Sequence, residues 1–154
     1  EGPVNYTLAF ATVTGVPPAH CAQDFRSEAD VPVGWGKQGI KASGLLMVGG
    51  VLYLWVRNAV VDGDWRHSRL AESTDRGRTW TWADWHFAGT FGCPEFVQYG
   101  PDYAGARDGY VYVVSQSGNS AYEFDPHVVM ARVPVGCVIQ RKAYEFYAGA
   151  GADG

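Results

Sequence analysis

Three carboxylates stand where an acid or a base could work: Asp62 and Asp64 in "RNAVVDGDWRH", and Glu95 in "AGTFGCPEF". Two carboxyl groups flanking a glycosidic bond can cleave it. One protonates the leaving oxygen, while the other attacks or activates water, at about 5 to 5.5 Å apart for retention or roughly 6.5 to 9.5 Å for inversion. Asp62-Gly63-Asp64 also has a plain reading as turn chemistry, because Asp-Gly favours tight loops. Glu95 likewise could be a solvated charge at a strand end. A further candidate acid, Asp75, lies in "STDRGRTW" (Ser73 to Trp80). There a mechanical role is the stronger expectation: a short Asp accepts backbone N–H bonds within its own turn, and Gly77 supplies positive φ. Trp80 then packs into the sheet. His20, His67, His86 and His127 show no metal-ligand spacing, and "DGD" falls far short of an EF-hand loop. No G-x-S-x-G elbow occurs. Neither a metal, a cofactor nor a serine nucleophile is expected.

The chain that must position these groups has 154 residues, 47% of them hydrophobic and 14% aromatic, enough for one domain with a sizeable core. Its net charge of -4 comes with no basic run, which argues against nucleic acid as a partner. The longest apolar stretch, "GLLMVGGVLYLWV", is too short to span a bilayer and carries two glycines in its middle. It reads as a buried hairpin. Cys21, Cys93 and Cys137 are far apart, so at most one pair could bridge. The N-terminal residues have no signal-peptide pattern, and both ends read as those of an internal fragment.

Short runs of Val, Tyr, Trp, Thr and Phe bounded by Gly, Pro, Asp and Asn predict an all-β chain. Four strands in sequence order are expected at Leu45–Val48, Val51–Asn58, His67–Ser73 and Thr79–Trp85, with a Gly49-Gly50 hairpin first and a polar loop "AVVDGDWR" in the middle. A second, looser meander follows: "EFVQYG", "YVYVVSQ", "AYEFDPHVVMARVPV" and "AYEFYAG". Successive four-stranded meanders of roughly 45 to 50 residues match the blades of a β-propeller; a β-sandwich is the competing architecture. The expected division is 1–40 as the end of a preceding blade plus an irregular insertion, 41–88 as one blade and 93–149 as the next. About two and a fraction blades cannot close alone, which implies a longer protein or self-association to complete the ring.

Ser73, Asp75, Gly77, Thr79 and Trp80 fit Ser-x-Asp-x-Gly-x-Thr-Trp, which resembles the Asp box of sialidases and other glycan-active propellers. In that family the box is the hairpin between the third and fourth strands of a blade, where the strand reading also puts it. "KASGLLMVGGVLYLWVRN", "YGPDYAGARDGYVYV" and "MARVPVGCVIQRKAYEFYAG" resemble, more narrowly, the secreted bacterial propellers grouped as domain of unknown function 4185, some of which are similar to endo-acting arabinan hydrolases. The resemblance implies a secreted or periplasmic protein with a carbohydrate partner.

Turns of a meander alternate between its two ends, so Gly49-Gly50 and the Asp box share one rim. By resemblance, glycan-active propellers carry substrate on the other. That rim would offer Lys37, Lys41, Ser43, Arg57, Asn58, Asp62, Asp64, His67, Glu95, Gln116 and Asn119, a mixture suited to sugar hydroxyls, with Trp35 and Trp65 to stack on sugar faces. Glu95, Asp62 and Asp64 are the expected catalytic carboxylates, and Lys41, Asn58, Trp35, Trp65 and Gln116 the expected substrate contacts. The expected function is glycoside hydrolysis. A non-catalytic carbohydrate- or protein-binding propeller is the alternative, or an inactive truncated chain.

Overall fold

The computed structural model describes the backbone of residues 9–14 and 22–27, and residues 40–148 with the side chains of 60, 61 and 65 excepted. Strands β1 (Ala9–Thr14) and β2 (Ala22–Ser27) pair antiparallel. Next come two four-stranded antiparallel meanders. The first is β3 (Lys41–Val48), β4 (Val51–Val61), β5 (Asp64–Ser73) and β6 (Thr81–Phe87); the second is β7 (Glu95–Phe96), β8 (Tyr110–Gln116), β9 (Val128–Pro134) and β10 (Glu145–Phe146). In both, spatial order equals chain order. The chain is all-β, with two blade-type meanders in succession. Among the described residues no helix is long and apolar enough to cross a membrane.

Local chemistry accounts for the turns. Gly49 and Gly50 have φ of 60° and 76° between the paired Val48 and Val51, the doubly positive geometry that matches strand twist in a two-residue hairpin. Asp62 and Gly63, with φ of 51° and 83° between Val61 and Asp64, repeat it. The expected polar loop at 59–66 is therefore a tight hairpin, with β4 and β5 running up to it. Asn58 (φ 57°) sits where the β4–β5 register slips between Val56 and Ala59, a bulge in a backbone region Asn tolerates.

β8 alternates buried Val111, Val113 and Ser115 with partly exposed neighbours, the period-two pattern of a strand with one face on a core. Two expectations shift. "AYEFDPH" is a turn, because Pro126 and the side-chain bonds of Asp125 hold it out of the sheet. β2 lies within the segment expected to be an irregular insertion.

The two meanders pack face to face. Trp55, fully buried, stacks on Phe87 at 5.1 Å between centroids and meets Phe96 of β7 at 6.2 Å. Phe87 stacks on Phe91 at 4.5 Å, and Trp85 lies edge-on to Tyr144 at 5.4 Å while its indole N–H donates to Ile139 O at 2.8 Å. Burial pushes the Tyr144 hydroxyl well above the ordinary phenol range, and it donates to Val138 O. Where β3 passes β7, a Cβ on Gly44 would lie 3.0 Å from Glu95 Cα and 3.1 Å from Phe96 N. Glycine at 44 lets β3 approach β7.

The β5–β6 hairpin is closed by the Asp box. Asp75 Oδ1 accepts the backbone N–H of Arg78 and Thr79, each at 2.9 Å, and the Ser73 hydroxyl at 2.8 Å; Oδ2 accepts the Thr79 hydroxyl at 2.7 Å. Gly77, at φ 78°, donates its N–H to Ser73 Oγ. Trp80 and Trp82 pack on buried Leu54 and Val56. The bonds from Thr79, its backbone first, with those from Ser73 and Arg78, hold the Asp75 carboxyl far below the usual carboxylate range.

A group held ionised in the folded chain stabilises it fully above the unfolded pKa, and that contribution is lost as pH falls toward the folded value. The stability gap between the parent chain and Asp75→Asn is therefore expected to be full above pH of about 4 and to shrink below it. Urea midpoints of both chains across a pH series read this directly. A gap that stays constant into acid would contradict it.

Candidate functional site

The rim opposite the Asp box is formed by the start of β3, the β4–β5 hairpin, the entry to β7 and the loop from Ser117 to His127. Its loop is held by its own sequence. Ser117 Oγ donates to Asp125 Oδ2 at 2.6 Å, and the His127 N–H donates to Asp125 Oδ1 at 2.9 Å, with His127 Nδ1 3.0 Å from the same oxygen. These bonds, the Ser117 hydroxyl first, pull the Asp125 carboxyl below its ordinary range. Gln116 donates from Nε2 to Ser120 O, and the Gly92 N–H donates to Gly118 O at 2.9 Å. Gln116, expected to touch substrate, thus braces the loop.

Asp62 and Asp64 line a wide depression of about 550 Å³ with Gly63, Arg66 and Glu123. The β4–β5 hairpin brings in the first two carboxylates, and the Ser117–His127 loop the third. Arg66 clamps Asp64: its Nη2 donates to Oδ2 at 2.8 Å, its Nε to Oδ1 at 3.0 Å, and its backbone N–H to Oδ1 at 3.0 Å. Those bonds, the guanidinium first, lower the Asp64 pKa to about 2, so this carboxylate stays ionised in any neutral solution. Among the described residues Glu123 has no hydrogen bond to its carboxyl, though its charge is felt at Arg66. Sequence reasoning passed over Glu123 because "AYEFDPH" reads as a strand; Asp-Pro and Ser117 were the signals of a turn.

A cationic corner adjoins the depression through the neighbouring Tyr122. Lys41 and Arg57 face each other in register on β3 and β4. Lys41 Nζ lies 5.2 Å from the centroid of the Tyr122 ring and donates to its hydroxyl at 2.5 Å; Arg57 Cζ lies 5.3 Å from the same centroid. The Lys41 bond first, then the Arg57 and Lys41 charges, draws the Tyr122 phenol below its ordinary range. Glu95 is exposed at the start of β7, and burial raises the nearby Cys93 thiol, which also feels opposing pulls from Arg57 and Glu95. Cys93 and Cys137 are both free thiols.

The expected site residues are thus divided. Asp62 and Asp64 share the depression, while Lys41 belongs to the corner and Glu95, at the exposed start of β7, does not line the depression. Asn58 is 2% exposed at its bulge, which leaves little of it for a ligand. Trp35 and Lys37 lie outside the described residues, as does the side chain of Trp65. His67 Nε2 is 4.0 Å from Asp64 Oδ2, and its ring meets His86 at 4.6 Å between centroids. Burial, aided by His67 and Arg69, lowers the His86 pKa. No three side chains among the described residues form a metal-binding group. On the Asp-box rim, Asp108 accepts the Tyr110 N–H at 3.0 Å and the Tyr112 hydroxyl at 2.6 Å, and so fixes its long turn through tyrosines. Comparison with protein-family models and with curated proteins returns no match.

Proposed function

We propose that this chain is part of a secreted, glycan-active propeller that hydrolyses a polysaccharide with paired carboxylates. The observation that carries the reading is the meeting of Asp62, Asp64 and Glu123 in one open depression on the rim away from the Asp box. Asp64, clamped by Arg66, is the carboxylate that stays charged. Glu123, without a hydrogen bond to its carboxyl among the described residues, takes the place of the acid in this reading because it lines the depression opposite the β4–β5 hairpin.

One observation favours a second reading, a non-catalytic carbohydrate-binding propeller: Asp64 is already occupied by four bonds from a single neighbour. Assays on arabinan, sialosides and neutral glycans separate the two. Under the hydrolase reading, reducing ends accumulate with the parent chain, and Glu123→Gln slows their release by at least ~100-fold with binding retained. Binding without turnover in the parent chain would instead support the lectin-like reading.

A further inference from the structure

Behind the β4–β5 hairpin two histidines meet. His67 on β5 and His86 on β6 hold their rings 4.6 Å apart between centroids, tilted at 57°. The His67 side chain is 14% exposed, its Nε2 lies 4.0 Å from Asp64 Oδ2, and its Nδ1 is buried with no hydrogen-bond partner among the described residues. Such a contact suits neutral rings. An imidazolium donates from both nitrogens, so a charged His67 would bury an N–H with nothing to receive it, and two charged rings at this distance would repel. Charged side chains of the hairpin and of β5 bear on the pair. Arg69, in register with His86, opposes a proton there, as does His67, while Asp62 favours one. Asp64 attracts a proton to His67 but is already held by Arg66. On β4 the residue opposite His67 is the uncharged Ala59.

The hairpin beside these rings is loosely tied to its blade. The β4–β5 register slips between Val56 and Ala59 and again between Ala59 and Val61, so the pair of Ala59 with His67 stands between two irregularities. The last β5–β6 pair toward the hairpin is Ser68 with Phe87. Interrupted ladders are where a sheet opens at least cost. We propose that His67 and His86 form a pH-sensitive latch: neutral, the two rings hold the β4–β5 hairpin to β6; protonated, they part and release it. Asp62 and Asp64 ride on that hairpin, so the rim presents them in one arrangement at neutral pH and loses it in mild acid. The latch acts on the chain alone and needs nothing from the glycan reading. Burial first, then His67 and Arg69, hold the His86 imidazole below its ordinary range. A base kept neutral in this way costs the fold nothing above its unfolded value of about 6.5, and stability is lost as pH falls below that value toward the folded one.

Urea unfolding of the full chain, with NMR of its histidine rings and backbone amides, reads the latch between about pH 7.5 and about pH 5. In the parent chain the urea midpoint is expected to fall across that range. His86 should take up its proton at lower pH than it does in the urea-unfolded chain, and the Gly63 and Arg66 amide signals should move with the same midpoint as the His86 ring. His86→Phe keeps an aromatic ring that cannot charge; it should flatten most of the fall and still both amides, and His67→Phe should do so in part. If either variant unfolds, the parent chain decides alone: Gly63 and Arg66 amides that stay fixed while His86 titrates overturn the latch. A parent midpoint that holds constant across the range overturns it as well, as does a folded His86→Phe chain whose midpoint falls in parallel with the parent's.

Discussion

Trp55→Ala is expected to lower the unfolding free energy by about 3–5 kcal/mol, the range for removing a large aromatic from a packed core. Trp55 is fully buried on β4, and its ring contacts Trp85, Phe87 and Phe96, so it joins three strands across both meanders. Phe87 and Trp85 in turn carry Phe91 and Tyr144. A cavity at Trp55 therefore loosens the contact between the blades, and collapse around it would require both sheets to move. The indole N–H of Trp55 is buried without a partner among the described residues. Trp55→Phe thus loses volume but also removes an unsatisfied donor, and should cost well under half as much as the alanine. Urea unfolding of the three chains checks both values. A loss below about 1 kcal/mol for the alanine variant would mean that the blades do not depend on this ring for their association.

Gly92→Ala is expected to damage the functional rim as well as the fold. A Cβ at 92 would lie 2.5 Å from Ser120 N, 2.6 Å from Gly118 O and 2.7 Å from Asn119 C. All three are backbone atoms, so no side chain can rotate away, and the Gly92 N–H to Gly118 O bond must break or the loop must shift. That loop presents Tyr122 to Lys41 and Arg57, and Glu123 to the depression. The variant should unfold at a lower urea concentration and, if the proposed glycan binding holds for the parent chain, lose it even under conditions where it remains folded. Overpacking of this kind costs roughly 1–3 kcal/mol, and the functional loss should be the larger effect. Near-UV circular dichroism with binding assays on the same sample separates the two. Unchanged binding in a folded Gly92→Ala chain would show that the Ser117–His127 loop does not carry the site.

Much of the blade architecture was legible because its signals are local. The Gly49-Gly50 hairpin follows from residues that reach positive φ without strain, and β8 from strict alternation in "YVYVVSQ". The Asp box was legible for the same reason: every partner of Asp75 lies within four residues of it. The 59–66 stretch was harder. "DGD" suits a loose polar loop and a two-residue hairpin equally, and only pairing of Val61 with Asp64 selects the hairpin.

The candidate site divides along the same line. Sequence by itself determined the all-β class, the meander order and the Gly49-Gly50 hairpin, because these depend on side-chain alternation and on backbone preferences a few residues long. Tertiary structure alone decided which groups meet. Lys41 and Tyr122 are 81 positions apart, and Glu123 reaches Asp62 and Asp64 only because the Ser117–His127 loop folds back to the first blade. It also separated Glu95 from the depression, turned Asn58 inward and set Gln116 to bracing its loop. Charges and hydrogen bonds act through space at a few ångströms, and no local pattern in the chain encodes which distant loop will supply the other partner.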